Sequence, residues 1–113
     1  MDPRRATELL AAERSRIEQA LAELAPGDGE ELSHVDQHVA DDASELFEQE
    51  RDAGLIERLR DELAAVERAE QRLMQGTYGL SVESGEPIPD ERLELVPTAE
   101  RTAEEQERFE HGR

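Results

Sequence analysis

The densest set of groups able to do chemistry is His34, Asp36, His38 and Asp41, two imidazoles and two carboxylates in one short stretch. Imidazole and carboxylate together bind divalent transition metals. Their spacing matches no zinc motif, however, and the plainer reading is a solvated acidic loop with His34 exposed. Nothing else in the chain resembles catalytic machinery. There is no phosphate-cradling glycine loop, no HExxH, and no nucleophile with a companion base. Carboxylates are plentiful, but an acid–base pair needs a buried cleft to drive its two pKa values apart. A chain with 35% hydrophobic residues and three aromatics cannot easily build one. The reading is that the protein is not an enzyme.

The 113 residues amount to one domain's worth of chain and carry a net charge of −17, from 30 acidic residues against 13 basic ones. Every basic residue is arginine. Such a field repels nucleic-acid phosphates, whose binding requires clustered cations, and it repels anionic membrane surfaces. It suits a basic groove on a protein partner, where opposite charge speeds encounter. The absence of cysteine excludes disulfides, thiolate metal sites and cysteine nucleophiles. No basic-plus-apolar leader and no bilayer-length apolar run appears, which implies a cytoplasmic protein.

Two long helices position the acidic stretch. Asp2 caps the first and Pro3 takes its first turn, where a missing N–H costs nothing. Ala6, Leu10, Ile17, Leu21 and Leu24 follow at helical spacing, and Ala25-Pro26-Gly27 stops the run, so a helix is expected over about 3 to 24. A second helix is expected from about Ala40 to Gln75, with Ile56, Leu59, Leu63, Val66 and Leu73 as its heptad seam and Gly76 as its terminator. Two amphipathic helices joined this way pack as an antiparallel coiled-coil hairpin. The hairpin is expected over 1–75, with its acidic tip loop around 25–42. Beyond it, residues 76–113 are rich in turn formers. They suggest a short hairpin, a helical turn near Asp90 to Leu95, and a last helix over about 99 to 110 capped by Thr98. A Glu104–Arg108 pair is expected to support that last helix.

The run Gly76-Thr77-Tyr78-Gly79, followed by Ser81-Val82-Glu83-Ser84-Gly85, Pro87-Ile88-Pro89, Arg92-Leu93 and Pro97, closely resembles the C4 zinc-finger region of the DksA/TraR family. Upstream, Asp36-Gln37-His38-Val39-Ala40-Asp41 and Ser44-Glu45-Leu46-Phe47-Glu48 resemble the tip and second arm of the same proteins. The resemblance covers roughly residues 33 to 106. One departure decides the chemistry: Ser81 and Ser84 stand at the first cysteine pair, and Thr102 and Glu105 at the second. Structural zinc takes four Cys or His ligands, and hydroxyls are poor substitutes. No metal and no cofactor is therefore expected. An apolar cluster of Tyr78, Leu80, Ile88, Leu93 and Val96 should replace the folding energy that zinc supplies to such a knuckle.

The resemblance implies a mainly α fold: a coiled-coil hairpin followed by a degenerate, zinc-free finger region with a short terminal helix. It implies a transcription regulator that binds bacterial RNA polymerase without binding DNA, its coiled coil entering the secondary channel and its acidic tip nearing the active site. The alarmone ppGpp is expected only jointly with polymerase. The partner-binding tip maps onto Asp36, His38, Asp41, Asp42 and Ala43; Asp41 and Ala43 fit the family pattern, whereas His38 stands where a carboxylate is expected. The alternative is an acidic helical interaction or stress protein that kept this fold and lost polymerase regulation.

Overall fold

The structure, a computed structural model, describes residues 1–24 and 42–112, with side chains for all of these except 42–49. The protein is mainly α, with four helices among the described residues: α1 (Pro3–Leu24), α2 (Asp42–Gln75), α3 (Asp90–Leu95) and α4 (Ala103–Glu110). Helices α1 and α2 form the antiparallel hairpin, and a turn-rich region carrying α3 and α4 follows.

Local signals set the helix ends. Asp2 Oδ1 accepts the N–H of Arg4 at 3.2 Å, and its carbonyl accepts the first helical N–H, that of Ala6, at 3.0 Å. At the far end of α2, Gly76 sits at φ +81, a left-handed conformation that costs glycine little. The Thr77 N–H reaches back to the Arg72 carbonyl at 2.9 Å and the Gly76 N–H to that of Leu73 at 3.3 Å, which is a Schellman ending.

The chain packs as two compact units. In the unit of residues 15–63, Ile17 and Leu59 are buried, Leu21, Leu24, Ile56 and Leu63 are half-buried, and Arg16 pairs with Glu62 at 3.2 Å. The other unit joins residues 1–14 to 64–113. There Ala6, Leu10, Val66 and Ala69 are buried, and Arg14 grips Glu70 with Nε and Nη2 at 3.1 and 2.7 Å. Glu70, which breaks the apolar pattern of the seam, is thus a cross-helix partner, and the Arg14 hydrogen bond holds its carboxyl below the usual range. Ala69, too small to stand out in a heptad reading, carries the seam beside it.

The turn-rich region has its own small core of Ile88, Leu93 and Ala99, with Met1 and Tyr78 packed against it. Two expectations are corrected here. Leu80 and Val96 are exposed and do not belong to this cluster; Met1 and Ala99 fill their part. The last helix begins at Ala103 with Thr102 as its cap, not at 99 under Thr98. Residues 99–101 are used otherwise: Ala99 is in the core, and the Glu100 carbonyl accepts the Val82 N–H at 2.9 Å. The Glu104–Arg108 pair is not made.

Candidate functional site

The four positions that match zinc ligands come together in the structure. Residues 79–88 fold back on themselves. The Ser81 N–H donates to the Glu86 carbonyl at 2.8 Å, Gly85 to Ser81 at 2.9 Å, and Ile88 to Gly79 at 2.8 Å, with an isolated bridge between Leu80 and Pro87. Gly79 and Gly85 take φ +86 and +78, which a side chain would strain. This knuckle presents Ser81 and Ser84 to the first turn of α4. Thr102 and Glu105 meet them there as a capping box: the Glu105 N–H donates to Thr102 Oγ1 at 3.2 Å, and the Thr102 N–H donates to Glu105 Oε1 at 3.0 Å.

Glu105 is the hub. Ser81 Oγ donates to its Oε1 at 2.5 Å and Ser84 Oγ to its Oε2 at 2.6 Å. Ser81 Oγ in turn accepts the N–H groups of Glu83 and Ser84 at 3.0 and 3.1 Å, and Ser84 Oγ accepts that of Glu86 at 3.2 Å. Ser81 and Glu105 are both buried, at 4% and 7% exposure. A buried carboxylate is costly unless every lone pair finds a donor, and here short, charge-assisted bonds supply them. The Ser81 bond foremost, then those of Ser84 and the Thr102 backbone, hold the Glu105 carboxyl down at about 2, against the opposing effect of burial.

These residues do not fit a structural zinc ion. The set offers one carboxylate and three neutral hydroxyls in place of thiolates or imidazoles, and that carboxylate is already engaged by three donors. Among the described residues no cluster of His, Asp or Glu could hold a metal either.

Ion pairs lock the finger region to the helices of its unit. Glu100 receives Arg68 Nε at 2.8 Å and Arg72 Nη1 at 3.0 Å. Burial is the largest single influence on Glu100 and raises its pKa, but the two arginines together bring it below the usual carboxylate value. Arg5 chelates Glu94 through Nη2 and Nε at 2.7 and 2.9 Å. Tyr78, whose pKa burial raises, donates its hydroxyl to the Pro97 carbonyl at 2.8 Å. Of the expected tip, Asp36, His38 and Asp41 lie outside the described residues; Asp42 and Ala43 open α2, and their side chains are not described.

A helical hairpin followed by a four-position knuckle defines the class: a C4-finger fold with its metal ligands replaced. Residues 76–111 match the family model described as prokaryotic dksA/traR C4-type zinc finger. The structure resembles that of the transcription factor DksA2 from Pseudomonas aeruginosa, at TM-score 0.60 and 32% identity, covering 96% of this chain and 76% of that one. The chain belongs to the DksA/TraR family. It is also 37% identical over 97 residues to general stress protein 16O of Bacillus subtilis, covering 86% of this chain and 57% of that protein. It is 36% identical over 87 residues to the RNA polymerase-binding transcription factor DksA of Caulobacter vibrioides, covering 72% and 61%. A 74-residue stretch is 45% identical to Bacillus subtilis YteA, which is uncharacterized, and covers 31% of it. The chain thus spans between about a third and three fifths of the length of these relatives.

Proposed function

We propose that this protein is a non-enzymatic, cytoplasmic transcription regulator that binds RNA polymerase in its secondary channel through the acidic tip of the hairpin, without zinc and without touching DNA. The observation that carries the reading is the likeness to DksA2 along nearly the whole chain, hairpin and finger region together. The Caulobacter relative is an RNA polymerase-binding transcription factor, which supports polymerase as the partner. The −17 net charge supports a protein partner over a nucleic-acid one, and no described helix is long and apolar enough to cross a membrane. Asp36, His38, Asp41, Asp42 and Ala43 form the tip in this reading, with Asp41 the principal contact. In this reading the alarmone ppGpp acts only jointly with polymerase.

The Glu105 knot supports metal independence. Three donors close on one carboxylate where the family's finger places a cation among four anions, so the fold is held without an ion to lose. The test is binding of the purified protein to core RNA polymerase from its host at low and physiological salt. The proposal expects binding that competes with a Gre-type secondary-channel factor and weakens at least about tenfold on Asp41→Asn, the usual scale for a central charged contact. A folded protein that does not bind would favour the acidic interaction or stress protein instead, a reading in keeping with the name of the Bacillus general stress protein.

A further inference from the structure

The two long helices hold a single glycine between them, Gly54 in α2. Inside a helix glycine is a poor choice, because its backbone has the most freedom to lose. Elsewhere in the chain need places it: Gly76, Gly79 and Gly85 take φ +81, +86 and +78. Gly54 answers no such need. It lies inside regular helix without a left-handed φ, and a Cβ added to it would meet nothing within 4 Å. Neither a turn nor a close neighbour excludes alanine there, and alanine would strengthen the helix.

The place of this glycine in the hairpin is specific. Arg16 of α1 meets Glu62 of α2 at 3.2 Å, which sets the register of the two antiparallel helices. Leu24, where α1 ends, lies as far along from Arg16 as Gly54 lies back from Glu62. Gly54 is therefore level with the end of α1. On one side of it α2 is packed: Leu55 and Ile56 are half-buried and Leu59 is buried. On the other side Glu50, Arg51 and Ala53 are exposed. The stretch from Asp42 to Ala53 carries the helix about 18 Å past α1. The residue that holds a helix least firmly thus stands at the boundary between the packed shaft and the arm beyond it. Moving elements are drawn from such low-stability positions, where a backbone change disturbs no packed side chain.

We infer that Gly54 is a hinge on which the tip arm of α2 bends against the packed shaft, and that the protein partner takes the arm in its bent form. The inference rests on the polymerase reading, since it makes the polymerase that partner. A partner that took the arm straight would be better served by alanine, which holds the helix more firmly and fits the open space. Bending at Gly54 leaves Leu59 in its packed place and so re-aims the arm without undoing the hairpin.

The test compares wild type, Gly54→Ala, and the double variant Ala53→Gly with Gly54→Ala, which moves the glycine by one residue to another exposed position. Amide hydrogen exchange of the free protein reads the hinge without the partner, and affinity for core RNA polymerase reads its use. Gly54→Ala should slow exchange around position 54 about fivefold, the scale of one glycine-to-alanine change inside a helix, and should weaken binding by a similar factor. The double variant should return both quantities close to wild type. Exchange that Gly54→Ala leaves unchanged would overturn the hinge and leave the polymerase reading standing. Binding by Gly54→Ala as tight as wild type, or tighter, would show that the arm is taken straight and would overturn it as well. Weakened binding that the double variant does not restore would assign the effect to a contact at position 54 and overturn the hinge too. Failure of the wild type itself to bind would overturn the inference together with the polymerase reading.

Discussion

Replacing Ser81 by alanine probes the hydrogen-bonded knot at its most connected atom. The Ser81 hydroxyl donates to Glu105 at 2.5 Å and accepts two backbone N–H groups at 3.0 and 3.1 Å, all in a side chain that is 4% exposed. A hydrogen bond to a charged group contributes about 1.5–3 kcal/mol net and a neutral one about 0.5–1.5. The three bonds are coupled and not additive, so a loss of about 3 kcal/mol is expected, roughly 12 °C in melting temperature for a chain of this size. The alanine methyl fits where the serine stood, so the effect should come from the unpaired carboxylate and amides and not from a cavity. The assay is urea or thermal unfolding followed by circular dichroism, with native-state amide exchange at Glu83 and Ser84 to localise the loss. Ser15→Ala, at an exposed helical position, serves as control and should shift stability by no more than about 0.5 kcal/mol. A Ser81→Ala loss as small as the control's would refute the idea that the knot stands in for zinc.

Other outcomes follow from the same geometry. Because the Glu105 carboxyl sits at about 2 in the fold against an ordinary 4.5, its contribution is complete above about pH 4.5 and fades as pH falls toward 2; Glu105→Gln should flatten that part of an acid-unfolding profile. Glu70 and Glu94, also held low by arginines, add acid sensitivity in the same direction and should persist in that variant. Gly79→Ala, forced to φ +86 with its new methyl 3.6 Å from Leu93, should destabilise by about 1–3 kcal/mol through backbone strain and not through a clash, as equilibrium unfolding can measure. Leu93→Ala, at a fully buried site, should cost about 2–5 kcal/mol on the same measurement. Prolonged chelator treatment should leave the melting curve unchanged, and added zinc should not raise it.

Much of this was legible in the sequence because it is local. Asp2-Pro3 and Gly76 mark helix ends through single-residue chemistry, and the spacing of Leu59, Leu63 and Val66 marks the seam. The Gly79, Ser84-Gly85 and Pro87-Ile88-Pro89 turns mark the knuckle, while the four ligand positions come from the family resemblance. What escaped depends on distant partners. The role of Glu105 as hub needs two serines some twenty residues away, although the Thr102-x-x-Glu105 pattern is itself a capping-box signature that would have placed the start of α4. Thr98 reads as an equally good cap by local rules. It loses because Ala99 fills the small core and Glu100 is held by Arg68 and Arg72 from α2. Leu80 and Val96 read as core by type, and only the packing of Met1 and Ala99 against Ile88 and Leu93 shows why they stay outside. The tip residues Asp36, His38 and Asp41 rest on the family likeness alone.

The measurement that bears most directly on the account is the affinity of this protein for core RNA polymerase before and after exhaustive chelation. The account predicts one saturable affinity, equal in both samples and competed by a Gre-type secondary-channel factor. No binding at about 50 µM by a folded protein, which would leave less than about 6 kcal/mol of association energy, would contradict the polymerase reading. Binding that chelation abolishes and zinc restores would contradict the metal-free knot.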